Sequence, residues 1–338
     1  MKFGAVDIGL AEGAVLAHSV SLGGRRRLRK GRILGASDIA TLAGAGVDTV
    51  TVARLAADDV FENDAAAALA AAIVPRPDAQ NIQVTEAFTG RVNLLATGPG
   101  VAMLDVAAIE AINRVHPMIT IATVPPYQQM AEGGMLATIK IISYAVPEAA
   151  LAKACAVASE AIHLARPVID SVALVITEID GGAGSKGQKA IADRVAAFGL
   201  TLSEPVVVPH EEAALAQALT DSRRALTLIL TGSATSDTED VAPAALRRAG
   251  GRVARFGMPV DPGNLLFIGD LAQRPVIGLP GCARSPALNG ADWVLARVIC
   301  GIEVTDSDIA AMGVGGLLKE IPTRPQPRAG KQKTDGID

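Results

Sequence analysis

From residue 168 onward, short and wholly apolar segments alternate with amphipathic ones. The run reads SVALVITE, a glycine loop, a helical stretch near Lys189–Phe198, EPVVVPH, EEAALAQAL, ALTLILTG, a polar loop, APAALRRAG, GRVARF, NLLFIG, RPVIGLP and PALNGADWVLARVICG. A strand with no polar side must be covered on both faces, and helices lying between strands in the sequence supply that cover. The pattern therefore predicts an α/β domain, a mostly parallel sheet with helices on both faces. Ligands of such sheets sit outside the carboxyl ends of the strands, so chemistry is expected in the loops found there.

The chain before residue 167 has a different texture. GASDIATLAGAGVDTVTVARL predicts a short helix capped by Ser37 and ended by Gly46, then an alternating strand Val47–Leu55. An Ala-rich helix is expected near Asn63–Ile73, broken by the PRPD stretch that follows. ITIATVPPY and MLATIKIISYAV read as strands, Asp105–Asn113 as a helix, and 147–165 as a second helix. These mixed signals divide the chain into a small N-terminal α+β unit at 1–60 and an α+β middle region at 61–166. The parallel-sheet domain follows at 167–302, and a C-terminal extension with a polar tail at 303–338.

Bulk properties narrow the function classes. With a formal net charge of −4 and 3% aromatic residues among 338, nothing supports nucleic-acid binding by overall electrostatics or base stacking. Cys155, Cys282 and Cys300 are odd in number and lack CxxC spacing, so neither a disulfide framework nor a zinc site is expected. Asp7 and Glu12 interrupt the first apolar stretch, which therefore fails as a signal peptide, and no uncharged run is long enough for a membrane span. A cytoplasmic protein is expected. His18, His116 and His163 stand far apart without metal-ligand spacing. The basic turn Arg25-Arg26-Arg27-Leu28-Arg29-Lys30 reads as a solvated hairpin or as a contact for an anionic partner.

Four loops carry candidate site residues. IDGGAGSKGQK contains Gly182-x-Gly184-x-x-Gly187 between a strand and a helix, but the first of these glycines comes too late after Glu178 for a dinucleotide fingerprint. Lys186 there either meets a phosphate or is plain solvent-exposed loop. In VVVPHEEAAL, Glu211 and Glu212 favour a helix dipole, while His210 either packs at the helix start or faces the crevice. In ILTGSATSDTEDVAP, Asp240 is a good helix cap with Pro243 in the first turn, yet the loop spends more residues on Gly, Ser, Thr and Asp than a plain connection needs. Exposed amides and hydroxyls leading into a helix N-terminus make an anion cradle. In GLPGCARSPALNG, Ser285 is expected to cap the next helix with Pro286 at its first position, and Arg284 can pair with a phosphate.

Together these stretches resemble the MogA/MoeA-type molybdopterin-binding domain. The family's loop T-G-G-T-G, four residues, then D-V-T-P matches Thr231-Gly232-Ser233-Ala234-Thr235, then 236–239, then Asp240-Val241-Ala242-Pro243. Its later L-P-G-N-P resembles Leu279-Pro280-Gly281-Cys282-Ala283, and GRILGASDIATLAGAGVDTVTVARL is similar to a stretch of MoeA proteins. The chain is identified with a MoeA-like subgroup, some of whose members carry a fused molybdopterin nucleotidyltransferase domain where this sequence has TRPQPRAGKQKTDGID. It departs from the family where catalytic versions read P-D-D/E and this chain has Pro209-His210-Glu211. Ser233 also replaces a glycine, and Cys282-Ala283 replaces Asn-Pro.

The resemblance implies a protein that binds molybdopterin or molybdenum cofactor during cofactor biosynthesis or delivery to a molybdoenzyme. The implied binding residues are Thr231, Gly232, Ser233, Ala234, Thr235, Ser236, Asp240, Pro280, Gly281, Arg284, Ser285 and Lys186. The alternative is a Mg²⁺-dependent molybdopterin adenylyl- or molybdenum-transferase in which Asp240 and Glu211 position the metal and His210 moves a proton. A third reading is a ligand-free assembly scaffold for a molybdoenzyme or partner transferase. Relatives of this kind also imply a homo-oligomer, with no nucleic acid or membrane as partner.

Overall fold

The computed structural model describes residues 1–318. Its contacts divide the chain into two compact units, the first spanning Met1–Arg166 and the second beginning at Pro167.

The first unit holds two apolar clusters. One gathers Leu16, Leu34, Leu42, Val50 and Val52 beneath an antiparallel sheet of Lys2–Asp7, Thr49–Arg54 and Val15–Leu16. The Lys2–Asp7 strand is absent from the sequence reading, because its first residues carry no clean alternation. Helix Ala36–Gly44 starts two residues earlier than expected, and its N-cap is Gly35, not Ser37. The cap works through Asp38, which accepts from the Gly35 amide at 3.2 Å and from Arg32 Nε at 2.9 Å. The Arg32 hydrogen bond holds the Asp38 carboxyl below its ordinary range.

The other cluster packs helices Glu62–Ile73, Val106–Val115 and Glu148–Val157 against antiparallel sheets. The expected helix 147–165 is a correction. It ends at Val157, and Ile162–Ala165 forms a strand paired with Gly100–Leu104. Glu160 adopts a left-handed φ of 53° between them, and the alternation of IHLA, with Ile162 and Leu164 buried, suits a sheet edge better than a helix face.

The second unit contains a six-stranded sheet ordered Val206–Pro209, Val172–Glu178, Leu226–Leu230, Arg274–Leu279, Phe267–Leu271 and Arg252–Phe256. The first four run parallel and the last two antiparallel, so the sheet is mixed with a parallel core. Leu226–Leu230 is buried along its whole length, which is why its sequence has no polar side. Val206–Pro209 departs from the expected two-sided burial: it is an edge strand, with Val206 and Val207 each 48% exposed. The antiparallel segment arises because Leu271 and Arg274 pair across a two-residue turn in which Ala272 and Gln273 have φ of 51° and 62°.

Helices Gln188–Ala196, Glu212–Asp221, Val241–Arg248 and Gly290–Ile299 connect or follow these strands. The last corrects the expected start at Ser285 and Pro286. A short 3-10 turn, Gly281–Arg284, intervenes, and the helix is capped by the buried Asn289. Asn289 accepts from Ala291 N at 2.9 Å, and Asp292 accepts from the Asn289 amide at 2.8 Å. That reciprocal box outweighs a lone serine. Helix Asp306–Ala311 lies in the C-terminal extension; the polar tail assigned from the sequence falls mainly on 319–338, outside the described residues. Among the described residues no helix is long and apolar enough to cross a membrane.

Candidate functional site

At the carboxyl ends of the parallel strands, three loops meet around one guanidinium. Arg284 donates through Nη1 to the carbonyls of Gly184, at 2.9 Å, and Lys186, and through Nη2 to Thr231 O at 2.9 Å. The glycine loop, the Thr231–Asp240 loop and the 280–285 turn are thus tied by a single cation. Burial presses the Arg284 pKa downward, and no carboxylate pairs with the side chain among the described residues. A half-buried cation whose protein partners are all neutral dipoles is electrostatically set up to accept an anion.

Two glycines make the approach feasible. Gly187 has φ of 89°, and a Cβ there would lie 2.6 Å from Arg284 Cα, so any side chain would drive the arginine out. A Cβ on Gly232 would lie 2.7 Å from Thr177 O. The apparent dinucleotide spacing therefore reflects close backbone packing, with Gly187 receiving Arg284.

The Thr231–Asp240 loop is shaped from within. Thr231 Oγ1 donates to Ser233 O at 2.6 Å and meets Thr235 Oγ1 at 3.3 Å, both threonines being buried. Asp240 accepts from Val241 N at 2.7 Å and from Ser236 N at 2.9 Å, closing the loop onto the helix it caps. Among the described residues the amides of Ser233, Ala234 and Thr235 have no protein acceptor, and neither has that of Gly281. Unspent amides beside Arg284 are the donor set a phosphate group requires.

The remaining candidates separate. Pro280 is buried beneath the 3-10 turn, while Ser285 is exposed and its hydroxyl accepts from Ala287 N at 3.2 Å. Lys186 contributes its carbonyl to Arg284 and leaves its side chain exposed. Glu211 is exposed at the start of its helix and caps nothing with its side chain. His210 enters through a residue that sequence reasoning missed. Thr177, fully buried at the end of the Val172–Glu178 strand, accepts from Gly232 N at 2.9 Å and lies 2.7 Å from His210 Nδ1. The hydroxyl has one proton, and Nδ1 is the acceptor available to it, so Thr177 couples His210 to the loop. Replacing Thr177 by valine preserves shape while stranding both partners. It is expected to cost about 1–2 kcal/mol in chemical denaturation, with serine at the same position restoring most of the loss.

Each oxygen of Asp240 accepts one backbone amide, one in the cap and one in loop closure. Among the described residues no three His, Cys, Asp or Glu side chains gather as a metal-binding group. Cys300 and Cys155 are not poised as nucleophiles: burial pushes the Cys300 thiol up to about 12 and raises Cys155 as well.

Fold and site together define the second unit as an α/β domain whose strand-end loops converge on Arg284. Residues 178–297 match the family model described as a probable molybdopterin binding domain. A second model, described as a domain of unknown function, matches residues 5–54. No curated protein matches the chain significantly.

Two solved structures are similar over most of this chain. One is the molybdopterin biosynthesis MoeA protein from Pyrococcus horikosii, at 14% identity over 89% of this chain and 75% of that one, with a TM-score of 0.31. The other is a molybdenum cofactor biosynthesis protein from Pyrococcus furiosus, at 14% identity over 90% of this chain and 66% of that one, with a TM-score of 0.23. Such low TM-scores leave both likenesses without weight for fold or function.

Proposed function

We propose that the second unit binds molybdopterin or molybdenum cofactor by its phosphate, in the synthesis or delivery of that cofactor. The observation that carries this reading is Arg284, a half-buried cation that clamps three loops without a carboxylate partner among the described residues. The donor set fits the group. The amides of Ser233, Ala234, Thr235 and Gly281 supply neutral donors, and Arg284 retains N–H groups beyond those given to carbonyls. Within the cradle, Gly232 allows the loop's close backbone approach and Asp240 fixes its exit. Binding is favoured over transfer because Asp240 is committed to loop closure and Glu211 is exposed, with its side chain capping nothing.

The test is the identity and stoichiometry of pterin that copurifies from a cofactor-producing host, quantified after oxidation to its fluorescent form, with and without Mg²⁺. Binding predicts close to one pterin per chain, insensitive to Mg²⁺ and without nucleotide turnover. Turnover that is lost in Asp240→Asn would establish the transferase reading instead. Protein free of pterin from such a host would favour the scaffold.

A further inference from the structure

A second concentration of positive charge lies in the first unit. Val20–Ser21 and Arg27–Leu28 form a short hairpin, anchored by the buried Leu28 and by Val20 and Leu22, which pack on the apolar cluster below. The anchoring holds the intervening residues 23–27 outward, all of them exposed. Ser19, Ser21, Gly24, Arg25, Arg26 and Arg27 line a concavity of about 460 Å³. Arg29 and Lys30 follow at once, giving five cations in six positions of a chain whose net charge is −4.

These arginines differ from half of the others among the described residues. Arg32, Arg76, Arg114, Arg194, Arg247, Arg248, Arg252 and Arg255 each face a carboxylate. Among the described residues, the guanidiniums of Arg25, Arg26, Arg27 and Arg29 have neither an ion pair nor a hydrogen bond. The amides of Gly24 and Arg25 likewise donate to no protein acceptor. Ser19 Oγ accepts from Lys30 N at 3.0 Å and Ser21 Oγ from Gly23 N at 3.5 Å, so each hydroxyl keeps its own proton for an external acceptor. Like charges crowded on a short turn repel one another, and a bound anion would relieve that repulsion.

We infer that this hairpin is a binding site for a polyphosphate-type anion, a ligand carrying two or more adjacent phosphoryl groups, separate from the cradle around Arg284. Planar guanidiniums pair bidentately with phosphate oxygens, and backbone amides at a glycine turn complete the coordination. The volume, about 460 Å³, falls in the range of small-molecule sites and exceeds what one phosphate fills. The density of charge, five cations within six positions, matches adjacent phosphoryl groups better than the spaced single charges of an extended acidic peptide.

The test is calorimetric titration of the full chain with tripolyphosphate, alongside inorganic phosphate and a poly-glutamate peptide as probes. Three proteins are compared: the unchanged chain, the combined variant Arg25→Ser, Arg26→Ser and Arg27→Ser, and Arg284→Ala. Thermal melting checks that each is folded; the hairpin residues are exposed, so the triple variant is expected to melt as the parent does. Tripolyphosphate should bind more tightly than phosphate, weaken at least about tenfold in the hairpin variant, and persist in Arg284→Ala. Binding lost only in Arg284→Ala, or unaffected by the hairpin changes, would assign the anion to the cradle and overturn the inference. So would an absence of binding, or poly-glutamate outcompeting tripolyphosphate, which would make the hairpin a protein contact.

Discussion

Replacing Arg194 by methionine is expected to lower the stability of the second unit by about 3 kcal/mol and to loosen the 281–289 segment. Arg194 sits on the Gln188–Ala196 helix with its side chain only 10% exposed, ion-paired through Nε to Asp292. Its remaining donors go to backbone: Nη1 to Ala283 O at 2.9 Å, and Nη2 to Ser285 O at 2.9 Å and Ala287 O at 3.0 Å. One side chain therefore holds the irregular turn on either side of Arg284 and the carboxylate of the Asn289 capping box. Methionine fills much of the space but takes the cation from an almost buried carboxylate, a loss that is costly because little water reaches that group, while the exposed Ser285 and Ala287 carbonyls can turn to solvent. Lysine is expected to rescue little, since one ammonium cannot reproduce the planar fork that reaches Asp292 and the carbonyls of Ala190, Ala283, Ser285 and Ala287. Denaturant unfolding measures the loss, and amide hydrogen exchange at 283–289 locates it. A change below about 1 kcal/mol would mean that the turn is held by something other than Arg194.

The second large effect concerns binding. Arg284→Ala is expected to weaken molybdopterin affinity about 10- to 100-fold, equivalent to one or two charge-assisted hydrogen bonds to phosphate. Two losses act together: the cation itself, and the alignment of the glycine loop and Thr231 that its three carbonyl contacts enforce. Arg284→Lys separates them, because it keeps a charge while giving up the fork. If charge dominates, lysine recovers most of the affinity; if alignment dominates, lysine resembles alanine. Fluorescence titration with molybdopterin gives the affinities, and melting of the same samples shows that the fold persists. A folded Arg284→Ala protein with unchanged affinity would remove the basis for placing the phosphate here. Because Arg194 holds the turn that carries Arg284, Arg194→Met should also reduce affinity, and the two substitutions together should fall short of additivity.

Several features of the cradle were legible because their causes are local in sequence. Asp240 caps the helix it precedes, and the small polar residues before it mark a loop longer than a connection requires. Arg284 stood out as a charge at the mouth of an apolar strand, although its engagement with three carbonyls did not. Thr177 was hidden: a threonine inside an apolar β run reads as strand propensity, and its link to His210 and Gly232 spans residues far apart in the chain. Arg194 was hidden too, since an arginine in a helix with other charges looks solvated until the neighbouring loop is folded over it. The start of the Gly290–Ile299 helix was misplaced because Ser285-Pro286 and Asn289 both carry cap chemistry, and only the packing that buries Asn289 chooses between them.

The sequence by itself determined which segments must lie inside a sheet, since VALVIT and LTLIL have no side that water could wet. It also determined the Asp240 cap and the glycine-rich or hydroxylated loops, whose physical requirements are met within a few residues. Only the tertiary structure decided that Val206–Pro209 lies at an edge, that the last two strands run antiparallel, and that one guanidinium gathers three loops into a cradle. Those outcomes depend on which segments, distant in the chain, exclude water from one another, and pairwise packing of that kind leaves no periodic trace along the sequence.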